Sequence, residues 1–194
     1  RSDLLATLKA LGRDHIDILF LHAVTKSRDW EAITSPNGAL KTVEWAKSEG
    51  LVRYAGITSH GYGGTLLKVL KEYPFDLFMT QMNYYDRFNF PEIETKVIPF
   101  SVCNNIGIIA MKALADGYLW KSVEDAFRYT MTLPVSCIVS GINTLEQLEE
   151  DLTLIEKRPF TAAELDHLFA EAPELGNYIC RQCMKCLPCP EGIN

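Results

Sequence analysis

The chain has 194 residues, 47% of them hydrophobic, and a formal net charge of −6, enough for one substantial core plus a small appendage. With that charge and no clustered Lys and Arg, a nucleic-acid partner is excluded, because gripping phosphates needs a basic stripe. No apolar run is long enough for a membrane span and the start does not resemble a signal peptide, so a cytoplasmic location is expected.

The chain opens on Arg-Ser-Asp inside a helical pattern, with Leu4, Leu5, Leu8 and Leu11 at helical spacing. Further sequence upstream is therefore expected. His15–His22 is a short apolar run with a polar end and reads as a strand. Gly38–Ser48 has helical spacing of Leu40, Val43, Trp45 and Ala46, stopped by Gly50. Val52–Thr58 reads as a strand, Thr65–Tyr73 as a helix ended before Pro74, and Phe75–Met82 as a strand. Ile93–Asn104 reads as a helix, Gly107–Met111 as a strand and Ser122–Met131 as a helix. Val135–Val139 is rich in β-branched residues and reads as a strand. Leu145–Glu156 is a charged amphipathic helix, and Thr161–Ala172 another, with Thr161 and Glu164 spaced as a capping box.

About five strand–helix units thus follow one another. Their strands show little alternation, as in a parallel sheet covered on both faces. The pattern suits an open doubly wound sheet or a (β/α)₈ barrel. For a barrel of eight units, about three would lie upstream. No Gly-x-Gly-x-x-Gly loop follows any strand, so a Rossmann dinucleotide site has no support.

Each strand delivers polar groups to its C-terminal end, where a barrel carries its chemistry. These are His22; then Thr58, Ser59 and His60; then Gln81 and Asn83; then Met111 and Lys112; then Ser140, Gly141, Asn143 and Thr144. Singly, each has a structural reading: a lone His is more often a satisfied core residue than a catalyst, and a Lys more often a solvated one. Their shared placement is what points to a site.

The cysteines are uneven. Cys103 and Cys137 stand alone and read as packing residues. Cys180, Cys183, Cys186 and Cys189 are separated by two-residue gaps, with Pro190 following. Such a wrap suits one small centre, and an iron–sulfur cubane needs thiolates on all its corners. Structural zinc prefers cysteine pairs separated by a longer loop. Cys189 could instead ligate a neighbouring cluster, as in ferredoxin runs.

Several segments in order resemble the aldo/keto reductase family. Ile16–His22 (Ile-Asp-Ile-Leu-Phe-Leu-His) resembles the strand that ends in its active-site histidine. Gly50–Ser59 (Gly-Leu-Val-Arg-Tyr-Ala-Gly-Ile-Thr-Ser) is similar to its Gly-Lys-Ile-Arg-x-x-Gly-x-Ser-Asn. Gln81–Tyr85 resembles its Gln-x-x-Tyr segment, Gly107–Leu114 its seventh strand, and Gly141–Asp151 its closing cofactor motif. The tail, with its Glu-Gly-Ile-Asn ending, resembles that of the family's iron–sulfur subgroup.

The resemblance implies the last five units of a (β/α)₈ TIM barrel over residues 1–175 and an iron–sulfur segment over 176–194. It implies NADP or NAD along the C-terminal rim, with a flavin as the open alternative. His22 would polarise the carbonyl of a small-molecule carbonyl or alcohol substrate. Thr58, Ser59 and Gln81 would face the nicotinamide, with Met111 and Lys112 beside them. Gly141, Thr144, Gln147, Glu150 and Asp151 would hold the adenosine end. Cys180, Cys183, Cys186 and Cys189 would ligate a 4Fe-4S cluster serving an electron-transfer partner protein. The family's proton-donating tyrosine, with its lysine and aspartate, falls on units this chain does not contain. Met111 stands where an aromatic often stacks. The functional expectation is an oxidoreductase coupling hydride transfer to that cluster. The alternative is a non-catalytic barrel remnant serving as an electron-transfer or scaffold subunit.

Overall fold

The computed structural model describes residues 1–61 and 63–176, with side chains as far as residue 170. Five strands form one curled parallel sheet in chain order: β1 (Ile16–Leu21), β2 (Val52–Ser59), β3 (Leu77–Gln81), β4 (Gly107–Met111) and β5 (Cys137–Val139). Parallel neighbours need crossovers. These are α3 (Leu40–Ser48), α4 (Gly63–Glu72), α6 (Ile98–Cys103) and α7 (Val123–Thr132). Helix α1 (Ser2–Leu11) precedes β1, the single turn α5 (Asp86–Asn89) follows β3, and α8 (Leu145–Ile155) and α9 (Ala162–Gly176) follow β5. The half-barrel expected from the sequence is present. The expected second segment, with Cys180, Cys183, Cys186 and Cys189, lies outside the described residues.

Alternation splits the sheet into two unlike faces. Ile57, Phe78 and Ile108 are register partners, each at most 2% exposed, and pack with Leu66 and Val69 of α4 and with Val97. This outer layer is the main core. The inner face is open toward its two edges: Ile18 is 38% exposed, Tyr54 51% and Val139 44%. Gly56 is required in the middle of β2, because a Cβ there would stand 2.5 Å from the Phe20 ring.

Three local features depart from the sequence expectations. Ile93–Asn104 is not one helix but a π-turn over Ile93–Val97 that runs into α6. Pro99 has no N–H for the regular ladder, so the chain takes a wider turn just before it. Helix α2 (Ser27–Thr34) was hidden by its polar sequence. The Asp29 carboxylate accepts from the backbone N–H groups of Thr25 and Lys26 at 3.0 and 2.7 Å, and the buried Trp30 donates through Nε1 to Glu72 at 2.6 Å. Cys103 and Cys137 are exposed rather than packed, since Cys103 ends a short helix and Cys137 lies on an edge strand.

A second core gathers Tyr84, Leu119, Ala126 and Tyr129 beneath Leu165, Leu168 and Phe169 of α9. The capping box that opens α9 is present: Glu164 Oε2 accepts from Thr161 N at 2.8 Å and Glu164 N donates to Thr161 Oγ1 at 3.4 Å. The same carboxylate meets Arg128 and Arg158.

Candidate functional site

The chain leaves β1 at His22, which is exposed, and turns through Ala23 at φ 58°. That turn is pinned to β2. Ala23 N donates to Thr58 Oγ1 at 2.7 Å, and Val24 N to the Thr58 carbonyl at 2.8 Å. Thr58 is 5% exposed, so its hydroxyl already serves as an acceptor that fixes His22's backbone. Register puts Thr58 beside Met79, and Gln81 beside Met111. By alternation Thr58, Gln81 and Met111 share the inner face, and Ser59 turns to the outer one. Ser59 is fully buried, and its Oγ has no hydrogen-bond partner among the described residues. Thr58 and Ser59, grouped in the sequence, thus address different sides of the sheet.

The ring nearest His22 across the rim is that of His60, a strand-end group to which the sequence assigned no role. Their centroids are 6.4 Å apart at 84°, edge to face. Burial, then the charges of Lys112 and His22, hold the His60 imidazole below its ordinary value, and Asp116 opposes them. The unfolded chain therefore binds the proton more readily than the folded one. Stability is full above about pH 6.5 and falls as the pH drops through the lowered folded value. We expect His60→Gln to reduce the loss of urea midpoint between pH 7.5 and pH 5.5. An unchanged slope would mean that His60 is not charged differently in the two states.

After β4 the backbone takes three left-handed non-glycine positions, Lys112 (φ 55°), Ala115 (φ 49°) and Asp116 (φ 60°), before Gly117. Such positions are costly and persist only where the surroundings fix them. Here Lys112 Nζ pairs with Asp116 at 2.9 Å, and the Lys112 carbonyl accepts from Asn83 Nδ2 at 3.0 Å. This loop and the start of α8 enclose a cleft of about 510 Å³, lined among others by Met111, Lys112, Trp120, Gly141, Asn143 and Gln147. The sequence signal that could have marked this loop is the Asp116-Gly117 turn dipeptide. Trp120, 67% exposed in the cleft wall, gave none.

The α8 end of the cleft is organised locally. Thr144 Oγ1 accepts from Gln147 N at 3.3 Å, and Gln147 Oε1 accepts from Asn143 N at 2.8 Å. Of the predicted cofactor residues, the cleft brings together Met111, Lys112, Gly141 and Gln147. Thr144 acts as the helix cap. Glu150 is exposed and Asp151 half-buried, both further along α8 and outside the cleft lining. Gln81 is 8% exposed and borders a water-sized cavity of about 10 Å³ with Asn83, Asp86, Arg87 and Glu94. Tyr84 and Tyr85 are buried in the second core, and burial pushes the Tyr84 hydroxyl up to about 12. Among the described residues, no three His, Cys, Asp or Glu side chains are grouped to hold a metal ion, and no helix is long and apolar enough to cross a membrane.

Comparison with known proteins fits this geometry. No curated protein sequence matches the chain. Among solved structures, the holo form of aldo-keto reductase AKR11C1 from Bacillus halodurans is similar at a TM-score of 0.71 and 20% identity, covering 88% of this chain and 66% of its own. The protein PA4992 from Pseudomonas aeruginosa, described as an aldo-keto reductase, is 26% identical at a TM-score of 0.62, covering 79% of this chain. An aldo-keto reductase from Klebsiella pneumoniae, solved in complex with NADPH, has a TM-score of 0.68 at 15% identity. The chain spans 55% of the length of the Pseudomonas protein and 63% of the Klebsiella one. The sequence pattern of the aldo/keto reductase family matches residues 1–138. On that match, supported by the curled parallel half-barrel, the chain belongs to the aldo/keto reductase family.

Proposed function

We propose that the chain forms the nicotinamide-binding and substrate-orienting part of an oxidoreductase that acts on small-molecule carbonyls or alcohols. The observation that carries this is the cleft of about 510 Å³ at the C-terminal rim, whose Lys112 acts electrostatically on His60, the ring neighbour of His22. The residues present suit a dinucleotide. The strained loop after β4 presents Lys112, and the α8 end presents Gly141, Asn143 and Gln147. When bound, NADP(H) or NAD(H) supplies the hydride. His22 donates to the carbonyl oxygen where negative charge grows. Thr58 holds the turn that places it.

The exposed inner face at Ile18, Tyr54 and Val139, and the exposed Leu145, Leu148 and Leu152 on α8, are surfaces that additional strand–helix units of a closed barrel would cover. Residues 1–175 then form the later five units, and residues 176–194 hold a 4Fe-4S cluster through Cys180, Cys183, Cys186 and Cys189. Such a cluster passes single electrons to a partner protein.

Titrating NADPH and NADH into the protein should quench Trp120 fluorescence at one cofactor's saturating concentration. In the complete enzyme that supplies the proton donor, His22→Ala should lower carbonyl turnover by roughly 10²–10³-fold with dinucleotide affinity unchanged. Absence of binding by either dinucleotide would refute the reading. Binding without any His22-dependent turnover would favour a non-catalytic electron-transfer subunit.

A further inference from the structure

The rim offers more donors than a carbonyl needs. A ketone or aldehyde presents one acceptor oxygen, and His22 alone can serve it. Yet a second imidazole, His60, stands 6.4 Å from His22 between ring centroids, and Lys112 lies close enough to act on its charge. The three side chains come from the ends of β1, β2 and β4, so the fold converges them from separate strands. Among the described residues neither imidazole has a hydrogen-bond partner, and the His60 backbone is held through N–H donation to Thr25 Oγ1 at 3.3 Å.

We infer that His60 and Lys112 bind a carboxylate next to the substrate carbonyl, so that the site takes 2-oxo acids or the corresponding 2-hydroxy acids. This deepens the oxidoreductase reading and rests on it for the role of His22. The ring separation is too long for a direct imidazole–imidazole hydrogen bond. It leaves room for ligand oxygens that accept bonds of about 2.8 Å from both rings. Adjacent carbonyl and carboxylate oxygens answer that spacing: one faces His22, the other His60.

The electrostatics agree. Lys112 is paired with Asp116 at 2.9 Å, so its charge is half-committed in the free site. Burial, then its like-charged neighbours Lys112 and His22, disfavour the protonated form of His60, with Asp116 acting in the other direction. A carboxylate arriving between them supplies the missing negative charge and draws a proton onto His60. Binding is then tighter as the pH falls toward 6, a dependence a neutral carbonyl would not show.

The matched probes are phenylglyoxylate and its methyl ester, which differ by one negative charge. Binding to the full chain is followed without cofactor through the imidazole C–H signals of His22 and His60, assigned with His22→Gln and His60→Gln. We expect phenylglyoxylate to shift both signals, to raise the titration midpoint of His60, and to bind on the order of tenfold more tightly than the ester. Both His60→Gln and Lys112→Met should erase most of that preference, with the far-UV spectrum of each variant confirming the fold. Equal binding of acid and ester, or a preference that survives both substitutions, would overturn the inference. Fluorescence titration with NADPH in the same samples separates the two claims. Dinucleotide binding without acid preference removes only the carboxylate assignment. Acid preference without dinucleotide binding removes only the nicotinamide.

Discussion

Cys183→Ser should strip the protein of its iron. Purified without oxygen, the wild-type chain is expected to be brown and to carry iron and acid-labile sulfide, and the variant to be colourless with neither. The basis is the spacing Cys180, Cys183, Cys186 and Cys189, which lets successive thiolates turn inward on one centre. Cys183 lies within the wrap, so removing it leaves flanking ligands that cannot close around a cubane. Arg181 and Lys185 sit between the cysteines and favour the thiolate form that binding requires. Cys103→Ser and Cys137→Ser are the controls, since both thiols are exposed on the half-barrel and outside the tail. Stoichiometric zinc without sulfide would make the tail a structural site and end the electron-transfer proposal.

Phe78→Ala is expected to lower the free energy of unfolding by about 3–5 kcal/mol, read from urea denaturation. Phe78 is fully buried on the central strand β3. Its register partners Ile57 and Ile108 flank it, and Leu66 and Val69 of α4 belong to the same cluster. Truncation forfeits transfer energy and leaves a cavity that the paired strands cannot collapse. Phe78→Leu should cost less, because most of that volume stays filled. Lys41→Ala, which removes the exposed pair with Glu44, should cost less than about 1 kcal/mol. If Phe78→Ala were no worse than Lys41→Ala, the outer layer would not be the principal core.

Much of this architecture could be read from residues. Gly107–Met111 was placed to the residue, because a glycine and a polar Lys112 bound an unbroken apolar run. Thr161 with Glu164 announced α9, since the capping box is local chemistry. The strand ends were legible as a set, since His22 follows β1, Gln81 ends β3 and Lys112 follows β4. What escaped depends on tertiary contact. The importance of His60 arises from a ring supplied by a different strand, and one sequence does not reveal which strand-end groups meet. The divided roles of Thr58 and Ser59 follow from strand alternation and from the Ala23 turn. Helix α2 lacked an apolar stripe because it buries chiefly Trp30. The α6 break came from Pro99, whose effect falls on the turn before it.

Strand order that repeats chain order also governs how the molecule comes into being. Each strand after β1 pairs with the one made just before it, so among the described strands no pairing waits for a distant segment to be synthesised. Loop-closure costs stay small, and the sheet can lengthen one unit at a time as the chain leaves the ribosome. The growing edge is always the newest strand, and the next unit covers it. On this route β5, at three residues the shortest of the described strands, is the last of them to join the sheet and the first to fray.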